Sequence, residues 1–189
     1  MFLLPLMIWS AGTLDLSLGY GIPGDWKSTY NDTVDNNYET KGNMCISAEY
    51  IMDIPLFEGL FGGFGVHYQG TIELTEFEED KPGIAYIPLY LQGGYKCSLS
   101  EITHLRGLIN LGYDFLKLNK YFDDDFHFCG GFYFGGGLGF EFNERIFIDA
   151  LYNHYTGGRE EKYGSEIDTW DVSQDVILIR MGVKLPEYW

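Results

Sequence analysis

Bulky apolar residues recur at every second position in stretch after stretch of this chain, and the stretches are joined by connections that alternate between long, acidic ones and short ones. That rhythm leaves few folds open. From Leu14 to Pro23 the even positions are Leu14, Leu16, Leu18, Tyr20 and Ile22, and the odd ones include Asp15, Ser17, Gly19 and Gly21. Side chains on a strand point alternately to opposite faces, so one face here is wholly apolar and the other small or charged. A two-layer soluble sheet uses such a strand once or twice. Repeated around the whole chain, it requires an apolar solvent on one side of a closed sheet.

The same reading predicts eight strands. The second, Met44 to Leu56, sets Ile46, Ala48, Tyr50, Met52 and Ile54 against Ser47, Glu49 and Asp53. The third, about Leu60 to Leu74, sets Phe64, Val66, Tyr68 and Ile72 against glycines, His67, Gln69 and Glu73. In the fourth, Ile84 to Cys97, Pro88 lacks an N–H, so one ladder must lose a bond or bulge. Ser98 to Ile109 also fits helical spacing, but Gly107 and Gly112 disfavour a helix, and it reads as a turn entering the fifth strand. The sixth strand carries Phe132 to Phe142, the seventh Ile148 to Asn153, and the eighth runs through Ile179 and Met181 to Leu185. Long loops are predicted at Gly24 to Asn43, Thr75 to Gly83, Leu116 to Asp125 and Thr156 to Ser173. They follow strands one, three, five and seven, so all fall on one side of the sheet and every short turn falls on the other.

Composition agrees. No run of about eighteen apolar residues exists to cross a bilayer as a helix, so any membrane crossing is by strands. Gly 25, Tyr 15 and Phe 14 are high counts for 189 residues, and aromatic belts around a glycine-lined interior account for them. The net charge of -16 excludes a nucleic-acid partner, which needs a basic face, and disfavours direct docking on anionic headgroups without bridging divalent cations. Cys45, Cys97 and Cys129 fall on alternate strands, too far apart for disulfides, and are predicted to be free thiols. Phe2 to Trp9 followed by Ser10-Ala11-Gly12 looks like a signal peptide, but no Lys or Arg precedes Lys27. Residues 1–12 therefore read as a truncated signal-peptide remnant, or as a lead-in to the first strand, and residues 13–189 as the barrel domain.

Tyr86-Ile87-Pro88-Leu89-Tyr90-Leu91, the run from Gly135 through Leu138 to Phe142, and Phe147-Ile148-Asp149-Ala150-Leu151-Tyr152 carry a resemblance. Over about residues 13–189 the chain resembles the small outer-membrane β-barrels, the porin-like family of the OmpA transmembrane domain, OmpX and the opacity proteins. The resemblance implies an all-β, eight-stranded antiparallel up-and-down transmembrane β-barrel in a Gram-negative outer membrane, with lipid and lipopolysaccharide around it. It also implies insertion by barrel-assembly machinery, which Trp189 would assist as the terminal aromatic of that family. Pro186 and Glu187 depart from the family's pattern.

A barrel of eight strands is only wide enough inside for side chains to fill it. The inward set comprises Asp15, Glu49, Asp53, Glu73, Asp114, Glu141 and Asp149 with Lys96, Arg106, Arg180, Lys184 and His67, and such confined charges must pair. The expected function is thus structural or surface contact through four acidic loops facing outward, with a polar plug and no catalysis. Two alternatives stand beside it. His154-Tyr155-Thr156 is loosely similar to the His-x-Ser motif of outer-membrane lipid A deacylases, and that resemblance implies His154 as base, Thr156 as nucleophile and Asp168 as orienting carboxylate. A soluble lipocalin-like carrier of a small apolar ligand would instead turn the bulky face inward. No cofactor or metal is expected. The glycine run continues into a strand rather than a helix, and neither zinc nor EF-hand spacing is present, although the loop carboxylates suit weak calcium or magnesium binding.

Overall fold

The computed structural model describes residues 12–30, 33–38, 40–73, 83–118, 126–163 and 166–186, and within them every element is a strand. In chain order these are β1 (Thr13–Tyr30), β2 (Thr33–Tyr38), β3 (Asn43–Asp53), β4 (Leu60–Glu73), β5 (Gly83–Ser98), β6 (Thr103–Leu118), β7 (Phe126–Phe142), β8 (Ile146–Tyr163) and β9 (Glu166–Pro186). Apart from β2, each strand pairs antiparallel with the next, and β9 returns to β1 from Thr13↔Pro186 to Thr29↔Asp171. The eight strands other than β2 thereby close an up-and-down barrel with no free edge along its wall, the form in which strands can cross lipid.

Two predicted loops are largely strand. Gly24 to Asn43 contains the outer part of β1, on which β2 folds back from Trp26↔Tyr38 to Tyr30↔Thr33. Thr156 to Ser173 is a continuous ladder of β8 and β9 up to Tyr163↔Glu166. The physical reason is that period-two contrast exists only where one face meets hydrocarbon. Crossing it takes about nine to eleven residues, whereas β8 has 18 and β9 has 21. Beyond the bilayer the outward face is small or polar, so the backbone ladder continues without the apolar outward row that marks the wall. Residues 74–82 and 119–125, most of the other two predicted loops, lie outside the described residues, as do residues 1–11 of the predicted signal remnant.

The faces divide as the alternation requires. Leu91 is 71% exposed and Leu138 61%, while Asp149 and Asn153 are 0% exposed. An apolar-out, polar-in wall makes sense only with lipid as its solvent, so the inverted carrier arrangement does not occur. At Pro88 the ladder to β4 skips from Val66↔Leu89 to Gln69↔Tyr86, while the ladder to β6 runs unbroken through Pro88↔Asp114. The missing N–H thus shows on one side only.

At the end carrying Gly12 and Pro186, hereafter the turn end, the connections are tight. Asn143 and Glu144 have φ 50 and 55, both left-handed, and the Arg145 amide donates to the Phe142 carbonyl at 3.0 Å. This two-residue turn matches the twist of the flanking strands but strains a non-glycine residue at its second position. Glu144→Gly is expected to stabilise the barrel by about 0.5–1 kcal/mol, read as a higher urea midpoint in detergent; an unchanged or lower midpoint would count against the assigned turn.

Candidate functional site

The polar interior is the only concentration of buried charge among the described residues, and it is organised around two guanidiniums. Arg180, on β9, sends its Nη1 and Nη2 to the two oxygens of Glu49, with Nη2 to Oε2 at 3.1 Å, and its Nε to Asp149 Oδ2 at 2.9 Å. Nη1 also donates to Ser47 Oγ at 3.1 Å. Arg106, on β6, lies with Nε 3.2 Å from the other Asp149 oxygen and Nη1 3.6 Å and 3.7 Å from Asp15 and Glu141. Lys184 completes the group, donating to Glu141 at 2.9 Å. Asp149 therefore bridges both arginines, and each partner comes from a different strand. The bidentate fork to Glu49 is the strongest geometry available to a carboxylate.

Aromatic rings seat these cations. The Arg106 Cζ is 4.5 Å from the centre of the Phe147 ring and the Arg180 Cζ is 5.6 Å from it, so one ring serves both guanidiniums. Tyr90 donates its hydroxyl to Glu49 at 2.6 Å. The inward glycines make room for this filling. A Cβ on Gly65 would come within 2.8 Å of Glu49 Cγ and of the Tyr90 ring, and one on Gly182 would run into Phe147.

The charged set falls into distinct places. Glu49, Arg106, Glu141, Asp149, Arg180 and Lys184, with Asp15, form the central network. Asp53 and Lys96 pair at 3.1 Å at the turn-end mouth, where Asp53 is largely exposed. His67 is buried higher up, its Nε2 2.9 Å from the Tyr155 hydroxyl and its ring against Tyr90 and Tyr133. Asp114 is also buried there, and neither of its oxygens accepts a hydrogen bond from a side chain. The backbone of Glu73 pairs with Gly83, but its side chain lies outside the described residues.

Parity on its strand puts Tyr133 inward with Glu141, but reading the other aromatics chiefly as outer belts missed a second layer. Tyr86, Tyr90, Tyr133 and Tyr155 are all buried and pack with Trp26, Ile84, Val172 and Val176 in the half of the interior away from the turns. The parity of Tyr86 and Tyr90 with Gln92, and of Tyr155 with Asn153, was the available signal. Cys45 is buried, Cys97 and Cys129 are exposed, and all three are free.

The residues of the deacylase alternative are not assembled as that motif requires. His154 does meet a carboxylate, but it is Asp175, its register partner, at 2.7 Å from Nδ1, and Tyr152 donates to the same oxygen at 2.6 Å. Asp168 pairs in register with Glu161, seven residues along β9 from Asp175 or roughly 23 Å of strand. Thr156 fills a register shift of β7, accepting from the Phe132 amide at 2.8 Å and donating to the Phe132 carbonyl at 3.0 Å, so its hydroxyl is committed.

The family model described as outer membrane protein beta-barrel domain matches residues 1–184. No curated protein matches the sequence. Among solved structures, the outer membrane protein OprG from Pseudomonas aeruginosa is 11% identical with a TM-score of 0.61, over 94% of this chain and 97% of that one. AlkL in lipid bilayers gives 10% and 0.57, over 96% and 92%. A major outer membrane protein of Thermus thermophilus gives 13% and 0.52, over 94% and 100%. These likenesses concern the fold.

Removing one member of the buried network strands the other, whereas Asp114 has no cation to strand. Glu49→Ala is expected to cost about 3–5 kcal/mol and Asp114→Asn about 1 kcal/mol or less, measured by urea unfolding in detergent. Equal losses from the two variants would contradict the assigned pairing.

Proposed function

This chain belongs to the outer membrane protein β-barrel domain family, and on that premise we propose that it is a non-catalytic barrel of the outer membrane whose interior is closed to ions and whose extended strands present an acidic surface to the exterior. The observation that carries the reading is the Arg106, Arg180 and Asp149 cluster, which occupies the width of a barrel just large enough to hold it. A permeant ion would have to displace partners that each guanidinium needs to stay solvated.

With the short turns inward, the ladders of β1, β2, β8 and β9 stand above the outer leaflet. Lipid and lipopolysaccharide surround the wall, the assembly machinery inserts it, and outward-facing segments make the contacts of the envelope with its surroundings. Catalysis is absent from this reading because the Thr156 hydroxyl is spent on the β7 bulge.

Three measurements test it. Reconstituted protein is expected to give no steady single-channel conductance in planar bilayers, while Asp149→Ala with Arg106→Ala opens intermittent current; steady wild-type conductance overturns the closed interior. Protease applied to intact cells should cut only segments at the end away from the turns. Lipid A acyl composition should be identical in membranes carrying wild-type protein and His154→Ala, and any difference would return the hydrolase reading.

A further inference from the structure

The outward face changes character at a sharp level on β8 and β9. Ascending from the turn end, β8 shows Ile148, Ala150 and Tyr152 and then His154, Thr156 and Gly158; β9 shows Met181, Ile179 and Ile177 and then Asp175, Ser173 and Asp171. Tyr152 and Ile177 are register partners, so the last apolar row is a single line across both strands. Six residues beyond that line, about 20 Å of strand and roughly 15 Å of height once tilted, Cys129, Gly158, Asp171 and Thr29 stand side by side on β7, β8, β9 and β1. They line a hollow of about 510 Å³, with Thr156 and Ser173 on its lower side and Glu160 and Thr169 on its upper side.

Gly158 makes the hollow, and packing does not demand it. A Cβ there would meet only Cys129 Cβ at 3.8 Å and the Trp170 carbonyl at 3.9 Å, ordinary contacts, and its φ is not in the left-handed region. Its neighbour Gly157 is different, because a Cβ on it would strike Leu116. A floor without a side chain, flanked by hydroxyls and two carboxylates, suits a flat, hydroxyl-rich ligand. The height is above the headgroup layer, which adds only roughly 5–8 Å to each side of the hydrocarbon, and so is where the sugars of an outer-leaflet glycolipid stand; the carboxylates disfavour a bare phosphate while accepting hydrogen bonds from vicinal hydroxyls.

We propose that this hollow binds a core sugar of lipopolysaccharide, with Gly158 admitting the sugar ring to the ladder and Glu160 and Asp171 accepting from its hydroxyls. The proposal rests on the reading that this end of the barrel faces outward. Within the site the Cys129 thiol lies 4.0 Å from Glu160, so an occupant at Gly158 covers both.

Cys129 is therefore a built-in reporter, and exposed Cys97 at the turn end is its control. The full chain is folded into phosphatidylcholine vesicles containing either lipopolysaccharide with a complete core or lipid A without sugars beyond it, and maleimide labelling is followed at each cysteine by mass spectrometry. Core-bearing vesicles should slow Cys129 about tenfold, as for a site filled nine-tenths of the time, and leave Cys97 unchanged. Gly158→Phe should abolish the difference between the vesicles, and Gly158→Ala should retain most of it. Equal Cys129 rates in the two vesicles, or a slowing that survives Gly158→Phe, would each overturn the assignment. Heat-modifiable migration and external proteolysis of the same vesicles read the barrel and its orientation separately, so a failure of that premise is distinguishable from an empty hollow.

Discussion

A guanidinium enclosed in a barrel of eight strands has no water shell, and everything else in this interior follows from finding it partners. Arg180 cannot satisfy itself from its own strand, because same-face neighbours on a strand are two residues apart and here are Leu178 and Gly182. Its acceptors come from β3 and β8, so the pairing ties the wall across the lumen as well as around it. Desolvating each charge costs several kcal/mol, which is returned only when all acceptors are present together. The network thus favours one closure of the barrel over others more than it adds net stability.

The filling also explains where the glycines are. A narrow barrel cannot take a large side chain at every inward position, so Arg180, Tyr90 and Phe147 are each matched by a glycine on a neighbouring strand, Gly19 in the case of Arg180. Gly65 faces Glu49 and Tyr90, and Gly182 faces Phe147. Small opposite large is a packing rule for any interior, and in this one the large members are cations and the rings beneath them. On the outward face no such matching is needed, because acyl chains adapt to a ragged apolar surface. The broad depression among Leu16, Leu18, Ile46, Val66 and Met181, about 690 Å³, belongs to that wall.

The wall was legible because lipid imposes a contrast between its two faces. Leu14 to Ile22, Phe132 to Phe142 and Ile177 to Leu185 could be placed from alternation alone, and the family match extends over those segments. The ladders above the membrane were not legible, since their outward positions, among them Thr156, Gly158, Glu160, Thr169 and Asp171, are small or polar and no apolar row repeats. Which charges are inward could be read from parity, but which touches which could not. Asp149 bridging two arginines depends on β6, β8 and β9 meeting at one height, and the stagger between strands is not written in any single one. His154 shows the same gap from the other side. Its sequence neighbours pointed to Thr156, whereas its carboxylate, Asp175, is set by register across the β8–β9 ladder.

The interior is finally two media stacked along one axis. Toward the turns, Asp15, Glu141, Asp149, Arg106 and Lys184 form an ionic layer; toward the other end, Tyr86, Tyr133 and Tyr155 with Trp26 form an aromatic one, and Asp114 is the buried carboxylate within it. Phenolic hydroxyls need single partners, as Tyr133 finds in Asn153 at 3.0 Å, and rings exclude water by area rather than by charge. An aromatic lid above an ion-pair layer keeps solvent from the salt bridges on the side where the ladders open. On the turn side Lys96 and Asp53 pair at the rim and Phe61 lies between Lys96 and Arg106. The charges are thus held between an aromatic layer at one end and Phe61 with the Lys96–Asp53 pair at the other, so a perturbation that admits water at either end weakens the pairing that ties the wall together.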